Sequence, residues 1–283
     1  MKKKKITKKK VQHVILCVIG LIVMLLILFP IIWMLPAAFK GRSELFALPN
    51  TFFPKKFTWS NFQKVFGADL NGSTFIKSLG VTFLVSCLST FFSLMVNMFA
   101  GYVFARLEFK GKKILWVYFL FSMFIPGITI MLTSIKVVDI LGMIDTIFVL
   151  FVPALANSYH IFFFRQFYYN IPVNIEEAAT IDGANKFTIF FKIFLPMSKT
   201  PMIITGVGVF MASWNNYIWP TLTITTNNDL TMVMQIIRTF STTYAGEYGV
   251  VIAASILALI VPITIFAIFQ KKIVQGIALT GGK

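Results

Sequence analysis

VILCVIGLIVMLLILFPIIWML, residues 14–35, carries no charge over about 22 residues, and a helix rising about 1.5 Å per residue needs roughly 20 apolar residues to cross a hydrocarbon core of about 30 Å. A secretory leader has a shorter apolar region, roughly 7–15 residues, so this run reads as a full span and an uncleaved anchor, although Ala37-Ala38 offers the small residues of a cleavage site. Comparable runs follow at Phe75 to Ala105, Ile114 to Ile135, Ile147 to Phe167, Met202 to Thr223 and Val250 to Phe269. Transmembrane β-barrels show short alternating segments instead. The expected fold is an all-α membrane protein with six transmembrane helices.

Composition agrees. Of 283 residues, 57% are hydrophobic and 13% charged, with a mean hydropathy of +0.81; soluble domains are roughly 45–50% apolar. The formal net charge of +16 sits largely in the lysines of Lys2 to Lys10 and at the ends of apolar runs. That distribution describes membrane topology, and no basic face interleaved with stacking aromatics points to nucleic acid. Cys17 and Cys87 lie inside apolar runs and support neither a disulfide framework nor a metal site. His13 and His160 lack the neighbouring acids or thiols of a ligand set.

Lysine and arginine set the expected orientation. Lys2 to Lys10, the loop with Arg106, Lys110, Lys112 and Lys113, the loop with Arg165, Lys186, Lys192 and Lys199, and the tail with Lys271, Lys272 and Lys283 share one side of a six-span arrangement. Both termini are then cytoplasmic, in a multi-pass protein of a bacterial plasma membrane. The expected division is a basic tail over 1–13, a permease domain over 14–270, and a C-terminal tail over 271–283. The connection Pro36 to Thr74 carries Lys40, Arg42, Lys55, Lys56, Lys64 and Lys77, yet stays outside because the Lys-rich start dominates orientation. Pro49 and Pro54 break it, and Trp59-Ser60-Asn61-Phe62 suggests a short interfacial piece.

Between the fourth and fifth runs lies a polar insert, about 170–200, that has no place in lipid. Pro172 suits a helix start, Glu176 and Glu177 fall in the first turns where the dipole favours carboxylates, and Gly183 supplies the φ > 0 stop. A second short helix, capped by Asn185, places Phe187, Phe190, Phe191 and Phe194 on one face until Pro196 ends it. Small Ala178 and Ala179 beside Glu177 let a partner surface approach closely while an acid stays available for a basic group. An amphipathic interfacial pair with Lys186 and Lys192 at headgroups explains the phenylalanines but not the Glu-Ala-Ala to Gly to Ile-x-Leu-Pro spacing.

Glu177-Ala178-Ala179-x-x-x-Gly183, followed after nine residues by Ile193-x-Leu195-Pro196, resembles the EAA loop of the permease subunits of binding-protein-dependent ATP-binding cassette importers. The longer form from Glu176 to Ala184 is similar to the carbohydrate-uptake branch, the maltose-type second permease, as are Tyr102 to Arg106, Phe167 to Pro172, Trp214-Asn215-Asn216 and Gln275 to Gly282. Asn174, where an acid is common, and the basic first outer loop depart from it. The resemblance implies a cytoplasmic loop seated in a cleft of a nucleotide-binding subunit. Glu176, Glu177, Ala178, Ala179, Asp182, Gly183, Ile193, Leu195 and Pro196 would form this ATPase-coupling element. The implied partners are a second permease, two cytoplasmic ATPase subunits, an extracellular or periplasmic solute-binding protein, a carbohydrate substrate and membrane lipid. The tail from Gly276 to Lys283 would also touch the ATPases.

The chain has no Gly-rich phosphate loop and no nucleophile-base pair, so it is expected to be a non-catalytic subunit without a cofactor, ATP being bound by its partners. Its spans hold almost no charge; an ion-driven carrier would ordinarily keep carboxylates there, whereas Glu108, Asp139, Asp145 and Glu247 fall in loops or at span ends. The main polar exceptions include Asn157, Trp214, Asn215, Asn216 and Tyr217, a neutral amide and aromatic set suited to an uncharged polyhydroxy solute or to helix-to-helix hydrogen bonding. Gly208 and Ala212, four apart, suggest close helix packing. An importer permease for a peptide or polyamine, and an ion-driven carrier, are the alternatives.

Overall fold

In a computed structural model, backbone is described for residues 8–70 and 72–281, and side chains for 12–70 and 72–275. The lysines from Lys2 to Lys5 and the end of the chain at Gly282-Lys283 lie outside this range. The chain forms two compact units. One runs to Ala68 and takes in Thr239–Leu257, and the other holds Asp69–Arg238 and the chain from Ala258 onward.

The first unit begins with α1 (Lys8–Ala37), whose apolar window has no buried residue. A side chain so apolar and so exposed is stable only against lipid or another protein. Ala37 and Ala38 are buried, followed by α2 (Arg42–Leu45) and α3 (Ser60–Gly67), the latter starting at the interfacial piece expected from Trp59 to Phe62. Phe39, Phe57, Trp59 and Phe62 pack as one aromatic group. Beneath it, Lys40 is fully buried; its ammonium donates to Asn50 Oδ1 at 3.1 Å and to the Thr51 carbonyl, which offsets the cost of withdrawing a charge from water.

The second unit opens with a hairpin of β1 (Asp69–Leu70) and β2 (Ser73–Thr74), antiparallel with Asp69 opposite Thr74. Thr74 then caps α4 (Phe75–Arg106) by accepting from the Lys77 N–H. This helix is the axis of the unit and packs along two others. Ser78, Thr82, Ser86, Ser89, Ser93 and Asn97, spaced three or four apart, form one buried polar face. Small hydroxyl side chains let helices approach closely in lipid while bonding their own backbone or the neighbour. Ser86 donates to Ser213 Oγ at 3.3 Å, and Thr82 Oγ1 accepts from the Val233 N–H at 2.7 Å.

Two of the expected spans are bent where the sequence carries proline. The third is split into α5 (Lys112–Ser122) and α6 (Gly127–Ile140), bent by 109° ahead of Pro126, and the fourth into α7 (Ile147–Phe151), a 3-10 turn at Val152–Ala154, and α8 (Ser158–Tyr169), bent by 48° after Pro153. Proline removes a ladder donor and pushes its predecessor out of helical geometry. After the insert, with α9 (Val173–Ile181), α10 (Lys186–Ile189) and α11 (Leu195–Met197), the fifth span is α12 (Lys199–Trp214) and α13 (Ile218–Thr223), broken at 215–217. The chain closes with α14 (Val233–Thr243) and α15 (Tyr248–Gly281). Among the described residues three helices cross unbroken, and up to six spans result when each bent pair counts as one.

The close approaches are made by glycines other than the expected Gly208, which meets nothing within 4 Å. A Cβ on Gly101 would lie 2.8 Å from Phe164 Cβ and 3.0 Å from the Arg165 nitrogen, so α4 and α8 touch backbone to backbone. Gly206, two residues from Gly208 and therefore on another face of α12, lies against Leu94 and Thr90 of α4.

Candidate functional site

The insert is built around the C-terminal end of α4. Pro172, with φ −57° and ψ 135°, leads into α9. At the other end the Ala184 N–H donates to the Ala179 carbonyl at 2.9 Å and the Gly183 N–H to Thr180 at 3.0 Å, with Gly183 at φ +81°. This pair of bonds is the left-handed stop that glycine makes without a Cβ clash. Asn185 then accepts from the Thr188 N–H at 2.8 Å and starts α10. Two short helices therefore meet at a rigid corner, as expected.

Adjacent residues on a helix lie about 100° apart, so Glu176 and Glu177 cannot serve the same surface. Glu176 is buried. One carboxylate oxygen stands 2.9 Å from Lys186 Nζ, the other 3.8 Å from Arg106 Nε, and all three groups lie within the second unit. Arg106 also donates from Nη2 to the Tyr168 carbonyl at 2.7 Å and to that of Ile171, and its guanidinium lies 5.2 Å from the Phe194 ring centre. One arginine thus ties α4, the end of α8, the first insert helix and the second. Glu177, Ala178, Ile181, Asp182 and Gly183 are exposed, and Ala179 is half-buried. A groove of about 880 Å³, lined by Arg106, Glu177, Thr180 and Lys186 among others, runs beside α9.

The phenylalanine face of the second helix is not a single stripe. Ile189, Phe190 and Phe194 are buried with Met98, Tyr102, Phe164 and Tyr168, while Phe187 and Phe191 are 64% and 51% exposed. The cause is a π-helical turn at Phe190–Phe194, closed by the Leu195 N–H on the Phe190 carbonyl, which adds a residue to the turn and breaks the 3.6-residue period. Nor does Pro196 end the helix: it sits in the first turn of α11, and the chain bends by 79° only at Ser198, whose hydroxyl donates to the Phe194 carbonyl. Ile193 and Leu195 pack half-buried against the aromatic cluster, and Pro196 is exposed. Aromatic pairs such as Tyr102 with Phe194, at 4.9 Å between centroids, each add about 0.5–1.5 kcal/mol beyond burial.

The polar residues of the expected path are not brought together as one set. Trp214 is 1% exposed and stacked on Phe210, so its ring is not open to a solute in this conformation. Asn157 caps α8 by accepting from the His160 N–H, and its own N–H donates to Asn97 Oδ1 at 2.8 Å. Asn215 and Tyr217 are exposed beside half-buried Asn216, at the break between α12 and α13. At the far end of α4, Asp145, at φ +58°, accepts from the N–H groups of Thr225, Thr226 and Asn227 and the hydroxyls of both threonines. Burial opposes its ionisation, but the Thr226 N–H, the Thr225 hydroxyl and the remaining donors outweigh it and hold the carboxyl well below the ordinary aspartate range.

Residues 97–279 match the family of binding-protein-dependent transport system inner membrane components. The chain is 30% identical over 276 residues to the arabinooligosaccharides transport system permease protein AraQ of Bacillus subtilis, covering 96% of each. It is 31% identical to the sn-glycerol-3-phosphate transport system permease protein UgpE of Yersinia enterocolitica, over 93% of this chain and 95% of the other. It is 27% identical to the lactose transport system permease protein LacG of Rhizobium radiobacter, over 88% and 89%. Its fold matches a chain of a bacterial ABC transporter involved in import of the acidic polysaccharide alginate, with a TM-score of 0.81, 19% identity and coverage of 95% and 99%.

Proposed function

This chain belongs to the family of binding-protein-dependent transport system inner membrane components, and from that premise we propose that it is a permease subunit of an ATP-driven importer for a sugar, oligosaccharide or related polyol. It is a multi-pass membrane protein. The solutes named for its relatives, arabinooligosaccharides, lactose and sn-glycerol-3-phosphate, share a polyhydroxy skeleton, which supports that class. A second permease completes the path, a solute-binding protein delivers the cargo outside, and ATPase subunits supply the work from the cytoplasm. The chain itself performs no catalysis and holds no cofactor. Its termini face the cytoplasm of a bacterial cell, and the tail from Lys271 lies on the ATPase side. Family membership sets aside the ion-driven carrier.

The observation that carries the coupling role is the split of two adjacent glutamates. Glu176 is tied to Arg106 and Lys186 inside the protein, and Glu177 is exposed beside Ala178 on the same short helix. Closure of the ATPases then moves α9, and the clamp carries that movement to α4 and α8 as one rigid piece. A cysteine at Ala178 is expected to crosslink to the co-expressed ATPase, and Glu177→Lys to abolish uptake while membrane insertion persists. Normal uptake by Glu177→Lys, or no crosslink across the helix, refutes the coupling role.

A further inference from the structure

A second charged cavity, of about 580 Å³, lies where α5 leaves the loop after α4, and Glu108 and Tyr169 line both it and the groove beside α9. It is therefore on the same side of the membrane as the insert. Its walls bring Lys112, Lys113 and Arg165 together against the single carboxylate of Glu108, which is already taken by Lys112 at 2.8 Å. Arg165 has no acidic partner within 4.0 Å among the described residues. Its guanidinium carbon instead lies 3.9 Å from the Trp116 ring centre and 4.4 Å from that of Tyr169, with Nε donating to the Phe104 carbonyl at 3.3 Å and Nη2 to Tyr169 Oη at 3.1 Å.

Rings on either side fix the plane of a guanidinium and leave its charge uncompensated, a geometry that suits an oxyanion approaching along its free N–H edge. Below the cavity the surface changes character at once. Ile114, Tyr118 and Phe121 of α5 are 77%, 72% and 68% exposed, an apolar skirt long enough for acyl chains. Trp116 and Tyr169 stand at the junction, where amphipathic rings favour the headgroup layer. A cationic pocket directly above a lipid-facing helix matches a phosphate on an acyl-chain anchor better than a free anion or a protein surface.

We propose that this pocket binds the phosphodiester of an anionic phospholipid, with Arg165 and Lys113 as its cationic ligands and α5 as the acyl-chain rest. The assignment stands apart from the coupling role, since it needs no ATPase contact.

The test uses the full chain purified with its co-expressed partners in nanodiscs. With phosphatidylglycerol diluted into phosphatidylcholine, native mass spectrometry is expected to show phosphatidylglycerol retained on the wild-type chain and at least fivefold less on Arg165→Gln/Lys113→Gln. Lys113→Gln alone removes an exposed charge and is expected to give an intermediate loss with folding intact. Equal retention by wild type and both variants overturns the proposal. Displacement of the lipid by inorganic phosphate at millimolar concentration also overturns it in favour of a free-anion site. Loss of ATPase co-purification in the variants, with lipid retention unchanged, reassigns the pocket to a protein contact.

Discussion

Arg106 and Glu176 form a buried ion pair, 3.8 Å from Nε to the carboxylate, across the junction between a membrane helix and the insert. Neither is far from a second ligand: Lys186 holds the acid, and the carbonyls of Tyr168 and Ile171 hold the base. Buried pairs add little net stability when intact, yet removing one member strands the other. This is why the pair acts as a clamp whose failure is felt.

Arg106→Gln leaves Glu176 with one cation and two carbonyls without their donor. A loss of about 3 kcal/mol in unfolding free energy is expected, read from thermal unfolding in detergent. Glu177→Gln, at an exposed position, is expected to leave the midpoint unchanged while uptake falls. Equal loss of stability in both variants contradicts the division of labour between the two glutamates.

Gly183→Val places a β-branched residue at φ +81°, where strain costs about 1–3 kcal/mol. The corner between α9 and α10 is then expected to open, reducing recovery of the ATPase with the tagged permease while the permease still inserts. Gly183→Asn, which tolerates the left-handed region, is expected to keep most of that recovery. Full recovery with valine removes the corner from the argument.

Asp145 binds residues 225–227 through a carboxylate whose proton affinity is lowered in the folded chain. A group of that kind contributes stability that is present above its unfolded pKa, about 4, and is lost as pH falls toward the folded value. The midpoint difference between wild type and Asp145→Asn is therefore expected to be largest near pH 7 and to shrink below about pH 4. A difference that does not vary with pH points to packing instead.

Trp214 and Asn215 are neighbours with different tasks. Trp214→Ala empties a buried site and is expected to cost about 3–5 kcal/mol. Asn215→Ala, exposed at the helix break, is expected to keep stability and assembly but change the uptake rate for a given sugar. Loss of assembly in Asn215→Ala assigns it to packing.

Long apolar runs and the corner at Gly183 were legible because they depend on nearest neighbours: hydropathy sums over 20 residues, and a glycine stop needs only its own φ. The capping by Asn185 is equally local. What escaped was set by partners distant in sequence. Nothing near Glu176 says that Arg106, seventy positions earlier, will face it, although two adjacent acids on one short helix require one to turn inward. The clasp of Asp145 on 225–227 spans about 80 positions. The bend ahead of Pro126 had a visible cause in that proline, and averaging hydropathy across it hid the break.

The π turn at Phe190–Phe194 means that the polypeptide carries one residue more than an ordinary helix of that length needs. Deleting a single residue there would rewind the coil and rotate everything after it by about 100°. Gly206 would swing off Leu94 and Thr90, and Ser213 would leave the hydroxyls of Ser86 and Ser89. That surplus residue sets the angular phase between the cytoplasmic corner and the membrane-embedded helix it drives, so the two must be inherited together.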